Sequence, residues 1–304
     1  MVLLLNLIGN LFDTKMENVS VYDFEGDLVA CVWSHGTVEL PVKRASCLKK
    51  VVVRSFGDLS FLPLLGLLKI LILNPSIDEL EIHGDLPSYG EYGVLVACLM
   101  KRFMFRHIVY LKLAPRSYGL GWRLVSLWLD KTHIKRFDLV YPMCIEFIRV
   151  WVLTMTSLES LRLEIGEPIS CRFRRFLYVV NMMKTKCTKL TALRVEIGGI
   201  VYDSVLLEAF HACFRDFYGL RSLHFGFNVS PSFLLRYEKR YIRDVFWSNP
   251  GLSTFSTDTR DFTACIASLK RITLAVKSLR EDVLLPVEVV KLIISRINDG
   301  RLLC

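Results

Sequence analysis

Nine cysteines are the residues of this chain with the widest chemical repertoire: disulfides, metal thiolates or a nucleophilic thiolate. They stand at 31, 47, 98, 144, 171, 187, 213, 265 and 304. An odd count cannot close a disulfide framework, and a zinc site wants paired ligands such as C-x-x-C, which the chain lacks. They read as unbridged thiols of a reducing compartment, buried as free Cys most often is. The six histidines, His83, His107, His133 and His211 among them, are scattered, and no Cys has a His at an informative spacing. There is no H-E-x-x-H to hold zinc, no G-x-x-x-x-G-K-[ST] or G-x-G-x-x-G to cradle a phosphate, and no G-x-S-x-G to present a serine. Gly119-Leu120-Gly121 and Gly198-Gly199 fall where repeat turns explain them. The expectation is a protein that is not an enzyme and holds neither metal nor cofactor.

Charge is the remaining chemistry. Against 30 acidic residues stand 39 basic ones, a net +9. The excess is moderate and spread along the chain, so it does not by itself argue for nucleic acid. Hydrophobic residues make up 52% of the 304 positions, and the mean hydropathy is +0.38. That is core material for one large domain or two modest ones, not a disordered chain. The N-terminus, MVLLLNLIGNLFD, is apolar but carries neither a basic n-region nor an A-x-A cleavage site. It reads as a cap over the first core layer. The apolar run at 59–73, LSFLPLLGLLKILIL, holds 15 residues including Pro63, Gly66 and Lys69. That is short of the ~20 needed to cross a membrane, so a buried helix is expected there.

The elements that must position the charges emerge from a period. The pattern apolar-x-x-apolar-x-apolar occurs at Met16-Val19-Val21, Leu48-Val51-Val53, Ile77-Leu80-Ile82, Ile108-Leu111-Leu113 and Ile134-Phe137-Leu139. It continues at Leu158-Leu161-Leu163, Leu190-Leu193-Val195 and Leu220-Leu223-Phe225, then more weakly at Leu252-Phe255-Thr257 and Leu269-Ile272-Leu274. All but the last interval between copies lie between 24 and 32 residues, and the last is 17. Such regularity marks a repeat architecture. Between copies, the segments 93–106, 119–131, 172–184, 204–217 and 232–247 mix apolar and basic residues at helical spacing. Asp203-Ser204 and Ser230-Pro231 can start helices, and Asn249-Pro250-Gly251 is a stop and turn. Each unit is one short strand plus one helix.

The strand motif, the unit length and the strand–helix alternation resemble leucine-rich repeats of the ribonuclease-inhibitor and F-box-associated type. SLESLRLEIG (157–166), KLTALRVEIG (189–198) and GLRSLHFGF (219–227) are the best copies, and the resemblance covers about residues 16–275. The family places Asn or Cys three residues beyond the third apolar position. Here those slots hold Phe56, Asp85, Arg116, Pro142, Gly166, Gly198, Asn228 and Arg260, of which Asn228 alone fits. The resemblance implies an α/β solenoid with a parallel strand layer on the concave side and helices on the convex side. Apolar positions 1, 4 and 6 of each motif then build one continuous core, since no repeat can bury its face alone.

Positions 3 and 5 should face outward. Position 3 reads Lys50, Glu79, Tyr110, Arg136, Ser160, Ala192, Ser222 and Thr254; position 5 reads Val52, Glu81, Lys112, Asp138, Arg162, Arg194, His224 and Ser256. Lys112, Arg136, Arg162, Arg194 and His224 form a mostly basic stripe expected to engage an acidic partner surface. Outer-helix clusters such as Arg172, Arg174, Arg175 and Arg236, Lys239, Arg240 read as solvated faces, and no nucleic-acid motif accompanies them.

The C-terminal segment, LPVEVVKLIISRINDGRLLC at 285–304, starts a helix at Pro286, with Glu288 in its first turn. Val289, Val290, Ile293, Ile294 and Ile297 form its apolar face, and Asn298-Asp299-Gly300 ends it. It resembles the opening half of an F-box at Leu285, Pro286, Glu288, Val289, Ile293, Ile294, Ile297 and Asp299. A truncated F-box after a repeat domain is similar to the PRANC-type ending of poxvirus ankyrin-repeat proteins, which raises a viral origin. The resemblance implies that Leu285, Pro286, Glu288, Val289, Ile293 and Ile297 contact the Skp-type linker of a cullin–RING (SCF-type) ubiquitin ligase while the repeats select the substrate. The other reading is an amphipathic helix that caps the last repeat of a binding scaffold or inhibitor with no ligase link.

The expected organisation is therefore an N-terminal cap at 1–15, degenerate repeats at 16–275 and a helical F-box-like segment or cap at 276–304. A cytoplasmic or nuclear protein-interaction module, with no membrane contact and no nucleic acid, is the functional expectation.

Overall fold

The computed structural model describes residues 19–23, 28–29, 48–53, 75–84, 107–115, 131–140, 145–165, 170–200, 217–228 and 251–257. It also describes the single positions 122, 123, 126, 214, 215, 249, 261, 263, 264, 266–268, 270, 271, 274, 275, 278 and 289. The chain divides into two compact units. The first comprises Met1–Gly166 with Thr185–Leu190, and the second Glu167–Lys184 with Thr191–Cys304. Each is built from the same α/β repeat, and the architecture is a parallel-strand repeat solenoid.

In the first unit β3 (Leu48–Val53), β4 (Glu79–His83), β5 (Tyr110–Ala114), β6 (Arg136–Val140) and β7 (Ser160–Ile165) pair in parallel, each with the next. In the second unit β8 (Ala192–Ile200), β9 (Ser222–Asn228) and β10 (Thr254–Thr257) do the same. The register is constant through the motif positions; in the β8–β9 pair it shifts beyond them, between Ile197 and Ile200. Position 3 meets position 3 and position 5 meets position 5, as in Glu79↔Tyr110↔Arg136↔Ser160 and Glu81↔Lys112↔Asp138↔Arg162.

Period-two alternation explains the strands: one face must be apolar and the other need not be. In the copies beginning at Ile77, Ile108, Ile134, Leu158, Leu190, Leu220 and Leu252, the apolar residues at positions 1, 4 and 6 are at most 2% exposed.

The first copy departs from the expected parallel stack. β1 (Val19–Asp23) pairs antiparallel with β3 on one edge and with β2 (Leu28–Val29) on the other. The link 24–27 is far too short for the crossover that a parallel neighbour requires, so β2 must run back along β1. The copy at Leu269-Ile272-Leu274 departs too. Lys270, Arg271 and Leu274 have helical backbone, and Leu274 is 66% exposed. An interval of 17 residues has no room for a strand plus a helix, and the described positions of this copy are helical.

Two helices have a described backbone throughout. α1 (Ile145–Val152) buries Phe147, Ile148, Trp151 and Val152, a stripe at i, i+1, i+4 and i+5, and Arg149 in its last turn suits the helix dipole. α2 (Ser170–Lys186) covers the expected 172–184 and buries Phe176, Val179, Val180 and Met183 while leaving Tyr178 exposed. Of the expected helix 119–131, Trp122, Arg123 and Ser126 are described and helical, whereas Lys131 is described and lies outside the helix. The expected helices at 59–73, 93–106 and 232–247, and the cap at 1–15, lie outside the described residues, as does the body of 204–217.

Aromatic rings fill the space between strands and helices. In the first unit Trp151 stacks on Phe137 at 5.9 Å and on Phe147 at 5.6 Å, and meets Trp122 edge-on at 6.2 Å. In the second unit Phe225 sits edge-on to Phe214 at 4.5 Å and to Phe255 at 6.1 Å.

Two backbone devices recur at the starts of strands among the described residues. The carbonyl three residues before position 1 accepts the N–H of position 1, closing a turn: Lys131 to Ile134, Met155 to Leu158, Cys187 to Leu190, Phe217 to Leu220 and Asn249 to Leu252. The carbonyl at position 2 then accepts two N–H groups from the following strand. Asp78 O takes Val109 and Tyr110, Val109 O takes Lys135 and Arg136, and Lys135 O takes Glu159 and Ser160; in the second unit Thr191 O and Arg221 O behave alike. This sharing fixes where each strand begins relative to its predecessor.

Candidate partner-binding face

The side of each sheet opposite the core carries positions 3 and 5, and the predicted residues stand there in register. Lys112, Arg136 and Arg162 belong to the first unit, Arg194 and His224 to the second. In the first unit each of them is paired with an acid, in three groups around Glu81, Glu79 and Glu164. Lys50 Nζ lies 2.6 Å and Lys112 Nζ 3.4 Å from the Glu81 carboxylate, with His83 Nε2 also at 3.4 Å. Glu79 Oε1 accepts from Arg136 at 2.9 Å and from Lys49 at 3.4 Å. Arg162 pairs with Glu164 at 3.4 Å. The Arg136 guanidinium also lies 4.8 Å from the centroid of the Tyr110 ring, a cation–π contact. The sequence reading of a basic stripe therefore becomes a mosaic in which the described cations are interleaved with carboxylates.

Burial sets the electrostatics. It pulls the Glu81 carboxyl upward, but hydrogen bonding and charge from Lys50, Lys112 and His83 outweigh it and hold the pKa below its usual value. Asp138 behaves oppositely. Burial raises its pKa, and the Tyr110 hydroxyl, Arg162 and Lys112 do not fully offset the rise. Tyr110 donates to Asp138 Oδ2 at 2.9 Å, and burial with this carboxylate raises its own pKa.

In the second unit Arg194 pairs with Glu196, and His224 Nδ1 lies 2.8 Å from Ser256 Oγ across the β9–β10 register. Ala192, Ser222 and Thr254 make the neighbouring row, which is built of short side chains.

Sequence reasoning missed the pairing partners. Glu164 and Glu196 sit at position 7, one step beyond the motif, and Lys49 at position 2. The signal was available for position 5: once the register is constant, Glu81 must face Lys112, and Asp138 must face Arg162. It also missed the slot three residues before position 1. Lys131, Met155, Cys187, Phe217 and Asn249 there are all buried. Asn249 donates to Phe214 O at 2.9 Å and accepts from Phe217 N–H at 2.7 Å. Cys187, unbridged, reaches Val152 O at 3.6 Å, and burial pushes its thiol up to about 11. In this slot the side chains of Lys131, Cys187 and Asn249 tether neighbouring backbone, while Met155 and Phe217 only fill the core; Asn228, three residues beyond the motif, has a described backbone only.

Of the C-terminal residues expected at a linker contact, Leu285, Pro286, Glu288, Ile293 and Ile297 lie outside the described residues; Val289 is helical and 38% exposed. Among the described residues no group of three or more His, Cys, Asp or Glu could hold a metal ion, and no helix is long and apolar enough to cross a membrane. Comparison with protein-family models, with curated proteins and with solved structures finds no match for this chain.

Proposed function

We propose that the chain is a non-enzymatic protein-interaction module of the leucine-rich-repeat kind, and that it binds its partner through the outward strand face. The observation that carries this reading is the constant register. It aligns charged and aromatic side chains from successive repeats into rows, Glu79–Tyr110–Arg136 and Glu81–Lys112–Asp138–Arg162, on a face that the core does not need. Repeat proteins commonly use such surfaces for recognition.

Within this reading the C-terminal segment makes the chain a substrate-recognition adaptor of a cullin–RING ubiquitin ligase. The support is the F-box-like run at Leu285, Pro286, Glu288, Val289, Ile293 and Ile297, together with the helical, partly exposed Val289. An apolar helix face inserted into a groove is a common recognition mode. The alternative is a binding scaffold or inhibitor whose C-terminal helix only caps the repeats. Pull-down with the full chain and with the chain lacking residues 284–304, blotted for the Skp-type linker and cullin, separates them. Capture that disappears on truncation supports the adaptor. No capture by a folded full chain leaves the scaffold.

A further inference from the structure

The ion pairs on the outward face of the first unit are layered. Their carboxylates, Glu79, Glu81 and Glu164, have side chains 10–21% exposed, whereas their Lys and Arg partners are 25–53% exposed. In these pairs the acids form a floor and the bases a skin; the Lys135–Glu159 pair at position 2 is exposed on both sides and stands apart from them. Arg136 shows the arrangement best: Glu79 holds it from below at 2.9 Å and the Tyr110 ring from the side at 4.8 Å, yet its side chain is 53% exposed. A guanidinium has five N–H donors and an ammonium three, so a carboxylate beneath fixes direction without exhausting donor capacity. Fixing long side chains beforehand lowers the ordering cost of binding.

We infer that this skin, centred on Arg136 and Lys112, receives an acidic segment of a partner protein, whose Asp or Glu carboxylates take bidentate bonds from Arg136 and single bonds from Lys112. The inference rests on the reading of the chain as a protein-interaction module. A nucleic acid fits less well. Its affinity comes from neutralising a continuous row of phosphates, and here Glu79, Glu81, Asp138 and Glu164 stand among the cations and cancel most of the long-range field. Discrete carboxylates need only short-range, directed donors.

The test is unbiased selection of peptides of about twelve residues from a displayed random library on the full chain, followed by affinity measurement on the chain carrying Lys112→Gln and Arg136→Gln. The expected result is enrichment of Asp and Glu, with affinity about tenfold or more weaker on the variant. Should the double variant misfold, Arg136→Gln alone carries the measurement, since that side chain is half exposed. Neutral or basic peptides that still depend on Arg136 would overturn the acidic assignment and leave the interaction reading standing. No selected peptide at all would remove both. A single-stranded oligonucleotide that displaces the peptides at lower concentration than an all-Glu peptide would transfer the face to nucleic acid.

Discussion

Lys131 shows what one residue contributes when its type conflicts with its place. It is 3% exposed, donates to Ser126 O and to Val150 O at 3.2 Å, and lies 4.9 Å from the centroid of Trp151. Burial lowers its pKa from 10.5 to about 8. Between those values the unfolded chain still holds a proton that the folded chain has released. The contribution of Lys131 to stability should therefore rise with pH from about 8 to about 10.5, while the buried Cys187 thiol and Tyr110 hydroxyl, raised by folding, contribute a fall above about 9. Lys131→Met should remove the rising contribution, which amounts to roughly 3 kcal/mol for a shift of this size, so that the wild-type and variant curves converge or diverge across this window. Urea midpoints at a series of pH values for both proteins would check this; parallel curves would refute it. The same side chain reaches a carbonyl of α1, so its polar head tethers neighbouring repeats at the cost of a strained protonation equilibrium.

Asn249 is the matching case at the level of elements. It joins the turn before β10 to the backbone at Phe214 and Phe217 through one donated and one accepted hydrogen bond, both buried. Asn249→Ala removes both buried bonds and should cost about 3 kcal/mol, read as a lowered urea midpoint. Asn249→Asp retains the acceptor but loses the donor toward Phe214 O, and should recover only part of the loss. The strands of this protein were legible because apolar positions 1, 4 and 6 alternate with polar ones, and Leu80, Leu111, Phe137 and Leu161 fell where the pattern put them. The slot three residues before position 1 was not legible, because Lys131, Met155, Cys187, Phe217 and Asn249 share no chemistry; they share a carbonyl that closes a turn. The antiparallel β1 was hidden for a related reason: its side chains match the motif, and its direction shows only in the pairing with β3. On the candidate face, the residues at positions 3 and 5 were readable but their pairing was not, since Tyr110 meets Asp138 only when the register is known.

At the scale of the whole molecule, stability should be divided among neighbours rather than pooled, as in other repeat architectures. Trp151 touches Phe137, Phe147 and Trp122 and is fully buried. Trp151→Ala should cost about 3–5 kcal/mol. Hydrogen exchange should register the loss first in β6 and β7, with β9 and β10 keeping their protection longer. Uniform deprotection would show a single cooperative block instead. The shared carbonyl at position 2 has a consequence for how such a chain can change over time. Because each strand takes its alignment afresh from the one before, a segment lost or gained between two strands is absorbed locally and never becomes a frame slip downstream. Repeat lengths from 24 to 32 residues can then coexist in one chain, and the outward rows stay in phase while the links between them drift.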